Sequence, residues 1–316
     1  MFDVKSTFEV PRVERPSRRE FEEHFLFPNR PVIITGAMEG WPARERWTND
    51  YLTEKVGART IGISKAIVRD ELYNPKKEVL DRSSQMKLAE YIDLLETGAI
   101  SDGELYAAEL SIRTALPELW PDVRFPPFVD EDKYRQVNLW FGPGNNYSPL
   151  HYDPVDNLLT QIRGRKQVIL CPPREIARLY PFPFSYVGSR ISRVNVVSPD
   201  LTQFPAWTHA DRTLFELDPG EMLFIPVYWW HSMWGIDENI SINYWWRSRR
   251  ANLLQHHRQT ARLLGNNVYL NVYFRLGAAG RMVQSVARRA GLQSSPDPKA
   301  PRESRRQDLS DLPGGG

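Results

Sequence analysis

From about Tyr106 to Arg250 the chain is a succession of short apolar runs broken by turn signals, and this pattern restricts its fold more than any other feature. "RQVNLWFGPGNN" runs into a Gly/Pro turn. "NLLTQIRGRKQVILCPP" reads as two strands around a turn at Arg163-Gly164-Arg165. "TLFELDPGEMLFIPVYWWHSM" reads as a second hairpin, turning at Asp218-Pro219-Gly220, and "NISINYWWR" is one more strand. Strands at this spacing, rich in aromatic and β-branched side chains, imply a sandwich or barrel. The 25 prolines argue against a helical bundle.

Helix signals lie on either side of this region. Ser17 with Glu20 makes a capping box, and Pro28 ends that helix before the strand "RPVIITG". A second helix is expected over 47–57, with Thr48 as cap and Gly57 as stop. A third is expected from Leu88 to Thr97, with a stripe of Leu88, Tyr91, Leu94 and Leu95. Residues 251–265 and 268–290 read as helices, the latter with Val268, Val272, Leu276, Ala279, Val283, Val286 and Ala290 at steps of four and three. The Pro-, Ser- and charge-rich tail reads as disordered. The expected division is therefore an N-terminal helix/strand region (1–105), a β core (106–250), C-terminal helices (251–292) and a tail (293–316).

A formal net charge of +2 implies no general affinity for nucleic acid. One cysteine, Cys171, excludes disulfides and Cys-rich zinc modules within the chain. With no secretory leader pattern and no long apolar run, the expectation is a cytoplasmic protein without membrane attachment.

"SPLHYDPVDN" places His151 two residues before Asp153. On its own the pair fits a surface turn as well as a metal site. His231 strengthens the metal reading, because it ends the strand-like run "PGEMLFIPVYWWH", and two hairpins of a barrel can bring distant residues to one mouth. Two imidazoles and a carboxylate on one face leave positions open, as in Fe(II) oxygenases, whereas structural zinc takes four ligands. Lys166, among apolar residues in "GRKQVIL", is either a solvated outer-face lysine or the partner of a buried anion. A metal at the mouth and a cation deeper in would grip a dicarboxylate at both ends, which describes 2-oxoglutarate.

These residues resemble the JmjC-domain hydroxylases, the cupin-like branch of Fe(II)/2-oxoglutarate oxygenases, which takes in an asparaginyl hydroxylase and a tRNA wybutosine-pathway hydroxylase. The likeness runs from about residue 10 to 247 and includes "RPVIITGAMEGWPARERWTNDYL", "HYDPVDNLLTQIRGRKQVILCPP", "SRVNVVSPDLTQFP", "DPGEMLFIPVYWWH" and "INYWW". The resemblance implies a mainly β fold, a double-stranded β-helix (jelly-roll) core with N- and C-terminal helices. It implies His151, Asp153 and His231 as iron ligands and Lys166 as holder of the distal carboxylate of 2-oxoglutarate. Tyr106 matches an assisting tyrosine, and Ser148 falls where the asparaginyl hydroxylase has threonine. Asn157 and Asn243 match amides near the iron-side carboxylate, and Trp245 matches an aromatic wall.

The implied activity is hydroxylation of a C–H bond with O2 and 2-oxoglutarate, with a protein side chain as first substrate class. A modified tRNA base is the alternative, reached through a patch of Arg163, Arg165, Arg174, Arg178, Arg190 and Arg193. A non-enzymatic metal-binding cupin is the other. Trp229, Trp230 and Trp245 are expected to shield the site from water. The C-terminal helices are candidates for a homodimer contact.

Overall fold

Residues 4–65, 81–100, 105–184, 188–262, 264–265 and 267 are described by the computed structural model of the protein. In chain order they form β1 (Arg12–Glu14), α1 (Arg18–Phe21), β2 (Val32–Thr35), α2 (Pro42–Arg46), α3 (Asn49–Val56), β3 (Thr60–Lys65), β4 (Asp81–Lys87), α4 (Leu88–Glu96), β5 (Leu105–Ser111) and α5 (Ile112–Ala115). Then follow β6 (Tyr134–Gly142), β7 (Tyr147–Tyr152), β8 (Asp156–Arg163), β9 (Lys166–Cys171), β10 (Thr213–Leu217), β11 (Met222–Ile225), β12 (Trp230–Gly235), β13 (Asn239–Trp246) and α6 (Arg250–Gln255).

The strands make a nine-stranded sheet, β1-β2-β11-β8-β13-β6-β5-β3-β4, and a four-stranded sheet, β10-β9-β12-β7. The order β11-β8-β13-β6 in the large sheet repeats as β10-β9-β12-β7 in the small one. Each small-sheet strand is joined to its counterpart by a short arch. This is a double-stranded β-helix, the expected fold.

The arches correct one part of the sequence reading. Neither 163–165 nor 218–220 closes a hairpin. β8 pairs with β11 and β13, while β9 pairs with β10 and β12, so Gly164 carries the chain from one sheet to the other. β10 and β11 are likewise on different sheets. Turn chemistry reports that a chain reverses, but not whether the returning strand pairs or faces its predecessor. Gly164 takes φ +65°, and a Cβ there would lie 2.0 Å from the Glu238 carbonyl oxygen on the neighbouring arch.

Alternation of side chains then divides the core into three. The outer face of the large sheet (Leu139, Phe141, Ile242, Tyr244, Phe224) packs under the N-terminal helices through Phe21, Leu52 and Tyr91. The outer face of the small sheet (Ile169, Cys171, Trp230) packs under the segment carrying Ile176, Leu179, Val194 and Trp207. Between the sheets, one half of the barrel is filled by Ile33, Leu159, Val168, Leu170, Leu217, Leu223 and Ile225. The other half, under β6, β13, β12 and β7, is polar, and the candidate site occupies it.

At the N-terminus, Ser17 and Glu20 form the expected capping box. After one α turn the helix widens into a π turn over Glu22–Leu26. Thr48 caps α3 and Gly57 ends it. Leu88, Tyr91 and Ile92 are the buried face of α4. The helix expected over 251–265 breaks at His256, where the backbone leaves helical geometry. The segment is nevertheless tied to the body. Asn252 Nδ2 donates to Leu26 O (3.0 Å), Gln259 Nε2 to Pro173 O (2.5 Å) and Arg262 to Phe182 O (2.5 Å). The helix expected over 268–290, its dimer contact, and the tail lie outside the described residues.

Gly164→Ala should destabilise the barrel by about 2 kcal/mol or more, since it combines positive-φ strain with a backbone clash. That corresponds to a fall in Tm of roughly 4–8 °C. Gly62→Ala, whose Cβ would meet nothing within 4 Å, should leave Tm nearly unchanged in the same thermal scan.

Candidate metal centre

β7 and β12 are antiparallel neighbours, and their register sets His231 directly opposite His151. The two rings lie 4.2 Å apart between centroids. Asp153 follows one residue after β7, and its Oδ2 is 3.6 Å from His231 Nε2. One ligand atom from each of the three residues lies within 4.8 Å of the other two.

Both imidazoles are set in the same tautomer. His151 Nδ1 is 2.7 Å from the Pro149 carbonyl oxygen, and His231 Nδ1 is 3.0 Å from that of Trp229. A carbonyl only accepts, so each Nδ1 carries a hydrogen, which leaves Nε2 as the nitrogen that can face a metal. Burial, reinforced by the neighbouring His151, pushes His231 down to about 4, so it is neutral at pH 7. Burial opposes ionisation of Asp153, but His151, His231 and Arg190 outweigh it and hold the carboxyl below its ordinary range. Two imidazole Nε2 atoms and one carboxylate fit a divalent metal with open coordination positions better than a closed structural zinc site.

The outer contacts of this trio come from distant segments. Arg190 donates to Asp153 Oδ1 (3.0 Å), leaving Oδ2 directed at His231. The Tyr228 N–H donates to the Asp153 carbonyl (2.9 Å), with Tyr228 at φ +65° and its hydroxyl paired with Thr260 (3.1 Å). Arg190 was visible in the sequence only as one basic residue among several. Its contact with Asp153 spans 37 positions, and no local signal points to it.

Lys166 opens β9 and is 2% exposed. It shares a face with Val168 and Leu170, so it points between the sheets rather than outward. It has no hydrogen-bond or ion-pair partner among the described residues, and burial alone lowers its ammonium to about 7. Its strand neighbour on β12 is Gly235, four positions from His231. At ~3.3 Å per residue the two rows are roughly 13 Å apart along the strand, a gap that the two side chains narrow from either end.

The remaining candidates line the same interior. Tyr106 is buried against Trp140, with centroids 5.8 Å apart, and the Asn146 side chain lies near its hydroxyl. Asn146 in turn crowds Gly235, where a Cβ would lie 2.2 Å from its Oδ1, so Tyr106 belongs to the Lys166 end. The Ser148 hydroxyl accepts from Met233 N (3.1 Å) across the bulge between β7 and β12. Asn157, Asn243 and Trp245 lie on the inner face of the large sheet, Trp245 paired with Asn157 and Asn243 with Leu159. Asn157 Oδ1 and Trp245 Nε1 are shielded and have no hydrogen-bond partner among the described residues.

Two expectations need correction. Trp230 cannot shield the metal, because alternation along β12 turns it to the outer face against Tyr152. The six arginines do not form a patch of unpaired positive charge. Arg163 pairs with Glu238, Arg165 with Asp237, Arg174 with Asp211, Arg178 with Glu175 and Arg190 with Asp153. Arg193 lies over the Phe204 ring.

Comparison with known proteins agrees with this geometry. A cupin-like domain model matches residues 18–252. The chain is 37% identical over 251 residues to lysine-specific demethylase 8 of Danio rerio, covering 77% of this chain and 59% of that protein. It is 31% identical over 242 residues to lysine-specific demethylase JMJ30 of Arabidopsis thaliana, covering 74% and 54%. It is 28% identical over 257 residues to human tRNA wybutosine-synthesizing protein 5, covering 75% and 78%. The match thus spans only a little over half the length of the demethylase-named relatives. Among the described residues no helix is long and apolar enough to cross a membrane.

Arg190→Met removes the clamp on Asp153 without touching a ligand atom. It should weaken divalent-metal binding about 10- to 100-fold, the usual effect of losing an outer-shell partner. Equilibrium dialysis with Co(II) checks this, and wild-type affinity in the variant would dismiss Arg190 as a positioning group.

Proposed function

The chain belongs to the cupin-like JmjC domain family, and on that premise we propose that it is an Fe(II)- and 2-oxoglutarate-dependent oxygenase that hydroxylates a C–H bond of a protein side chain. The observation that carries this reading is Lys166. A buried ammonium without an anion is costly, and this one points between the two sheets, as the three metal-ligating groups do. A dicarboxylate reaching from the metal to Lys166 supplies the missing charge.

In this reading His151, Asp153 and His231 hold the iron by Nε2, a carboxylate oxygen and Nε2. Iron with 2-oxoglutarate and O2 supplies the oxidant that replaces hydrogen by hydroxyl, with succinate and CO2 as the other products. The chain's own part is orientation. Arg190 aims the Asp153 carboxylate, the two Nδ1–H groups fix the ring planes, and Lys166 with Tyr106 and Ser148 defines the far end of the cosubstrate. Asn157 and Asn243 stand on the facing wall. The apolar half of the barrel keeps water from the site.

A protein substrate is favoured over tRNA because five of the six candidate arginines already face carboxylates. Little unpaired positive charge is left in this group to neutralise a phosphate backbone. Two of the relatives are named lysine-specific demethylases. The same oxygen insertion at an N-methyl carbon ends in loss of that carbon, and at other side-chain carbons in a stable alcohol. Mass spectrometry of proteins and tRNA from cells lacking the gene distinguishes these. The proposal expects a protein residue that loses one oxygen; accumulation of methyl-lysine or an altered tRNA base would overturn the hydroxylated side chain.

Lys166→Met should weaken 2-oxoglutarate binding by roughly a hundredfold or more, the effect of leaving a buried charge unpaired, while metal binding stays near normal. Asp153→Ala and His231→Ala should abolish both metal binding and turnover. The free ammonium at about 7 also fixes a pH dependence. A bound dianion raises that value, so above pH ~7 binding takes up a proton, and affinity should fall as pH rises, approaching tenfold per unit. Calorimetry with the Mn(II)-loaded protein at pH 6.5 and 8.5 measures it; affinity independent of pH would remove Lys166 as the anion's partner.

A further inference from the structure

The arches between the sheets place one more polar side chain at the level of the metal. β12 and β13 are joined beyond Gly235 and Asn239; four positions back along β12 is His231, and four forward along β13 is Asn243. β6 and β7 are joined between Gly142 and Tyr147; four positions back along β6 is Asn138, and four forward along β7 is His151. Asn138 and Asn243 are direct cross-strand partners, as His151 and His231 are on the facing sheet. The outward side chains of β6 are Val137, Leu139 and Phe141, so alternation turns Asn138 into the barrel.

The hydrogen bonding of the two amides differs in a way that matters. Trp140 Nε1 donates to Asn243 Oδ1 (2.7 Å), which fixes that amide with its Nδ2 available as a donor. Asn138 is 2% exposed, and its Nδ2 is shielded with no hydrogen-bond partner among the described residues. Leaving such a donor unsatisfied is costly, and a leucine, of the same branched shape though larger, would avoid that cost. Two adjacent amide donors facing a metal form a complement for the two oxygens of one carboxylate.

We propose that Asn138 is a second amide donor to the metal-end carboxylate of the cosubstrate, acting beside Asn243. The inference rests on the 2-oxoglutarate reading above and adds to it a residue outside the expected set. It makes a prediction that a structural asparagine would not. Replacing Asn138 should improve the empty protein and impair the loaded one.

The test is titration of 2-oxoglutarate into the full-length Mn(II)-loaded protein, together with thermal melting of the metal-free protein. Asn138→Leu should leave Mn(II) affinity within about twofold of wild type, hold or raise Tm, and weaken 2-oxoglutarate about tenfold. Asn138→Asp, which sets a carboxylate against a carboxylate, should weaken it more than Asn138→Leu. Asn138→Ala cannot overpack and should match Asn138→Leu in binding even if it melts lower. Wild-type 2-oxoglutarate affinity in both Asn138→Leu and Asn138→Ala would overturn the assignment. So would a loss of affinity that is matched by an equal loss of metal binding. If the parent reading is wrong the result looks different, because the wild-type protein itself then binds no 2-oxoglutarate.

Discussion

The pairing of β7 with β12 is the contact on which the site depends. It is a short antiparallel ladder, and its register puts His231 across from His151 with Asp153 at the end of the same strand. A slip of β12 by one residue against β7 would turn His231 to the outer face, away from His151, and bring Trp230, which now packs against Tyr152 there, inside. The outer face is therefore what holds the inner face in place. Tyr152, Trp230, Ile169 and Cys171 are buried under Trp207, Leu179 and Val194, and that packing excludes the slipped register.

The barrel interior carries an energetic burden that its two halves share unequally. The half around Leu159, Leu170 and Leu223 is apolar and stabilising. Elsewhere in the interior Lys166 is buried without a counter-ion among the described residues, and Asn138 Nδ2, Asn157 Oδ1 and Trp245 Nε1 find no hydrogen-bond partner among them. Such groups are destabilising in the empty protein, and a bound ligand that satisfies them recovers that loss as affinity. Arg190 and the Tyr228 backbone reach Asp153 from two separate segments, and Thr260 holds the Tyr228 hydroxyl from a third. Positioning of the donor set is thus spread over chain elements that have no regular secondary structure in common with it.

Much of this was legible in the sequence. The short apolar runs broken by turn signals marked the strands of the core, and their aromatic and β-branched residues marked their type. His151 and Asp153 stood out as a His-x-Asp pair, His231 as the end of a strand-like aromatic run, and Lys166 as a cation within an apolar strand. Three things were not legible. The arches at Gly164 and Gly220 have hairpin chemistry but join different sheets, and that choice is made by tertiary packing. β3 and β4 give weak strand signals, "TIGISK" and "DRSSQMK", and are strands because they pair with each other. Asn138 lies in an ordinary strand, and only the alignment of β6 with β7 across the arch brings it to the level of the metal.

The central claim is that one cavity holds a metal and 2-oxoglutarate together and uses them to reduce O2. The most direct measurement is succinate formation by the purified Fe(II)-loaded protein given 2-oxoglutarate and O2, with no other substrate. Slow, uncoupled turnover with succinate appearing in proportion to the O2 consumed, and none in Asp153→Ala, is the predicted result. Binding of metal and 2-oxoglutarate with no succinate above the Asp153→Ala background would contradict the account and leave a cupin that binds but does not oxidise.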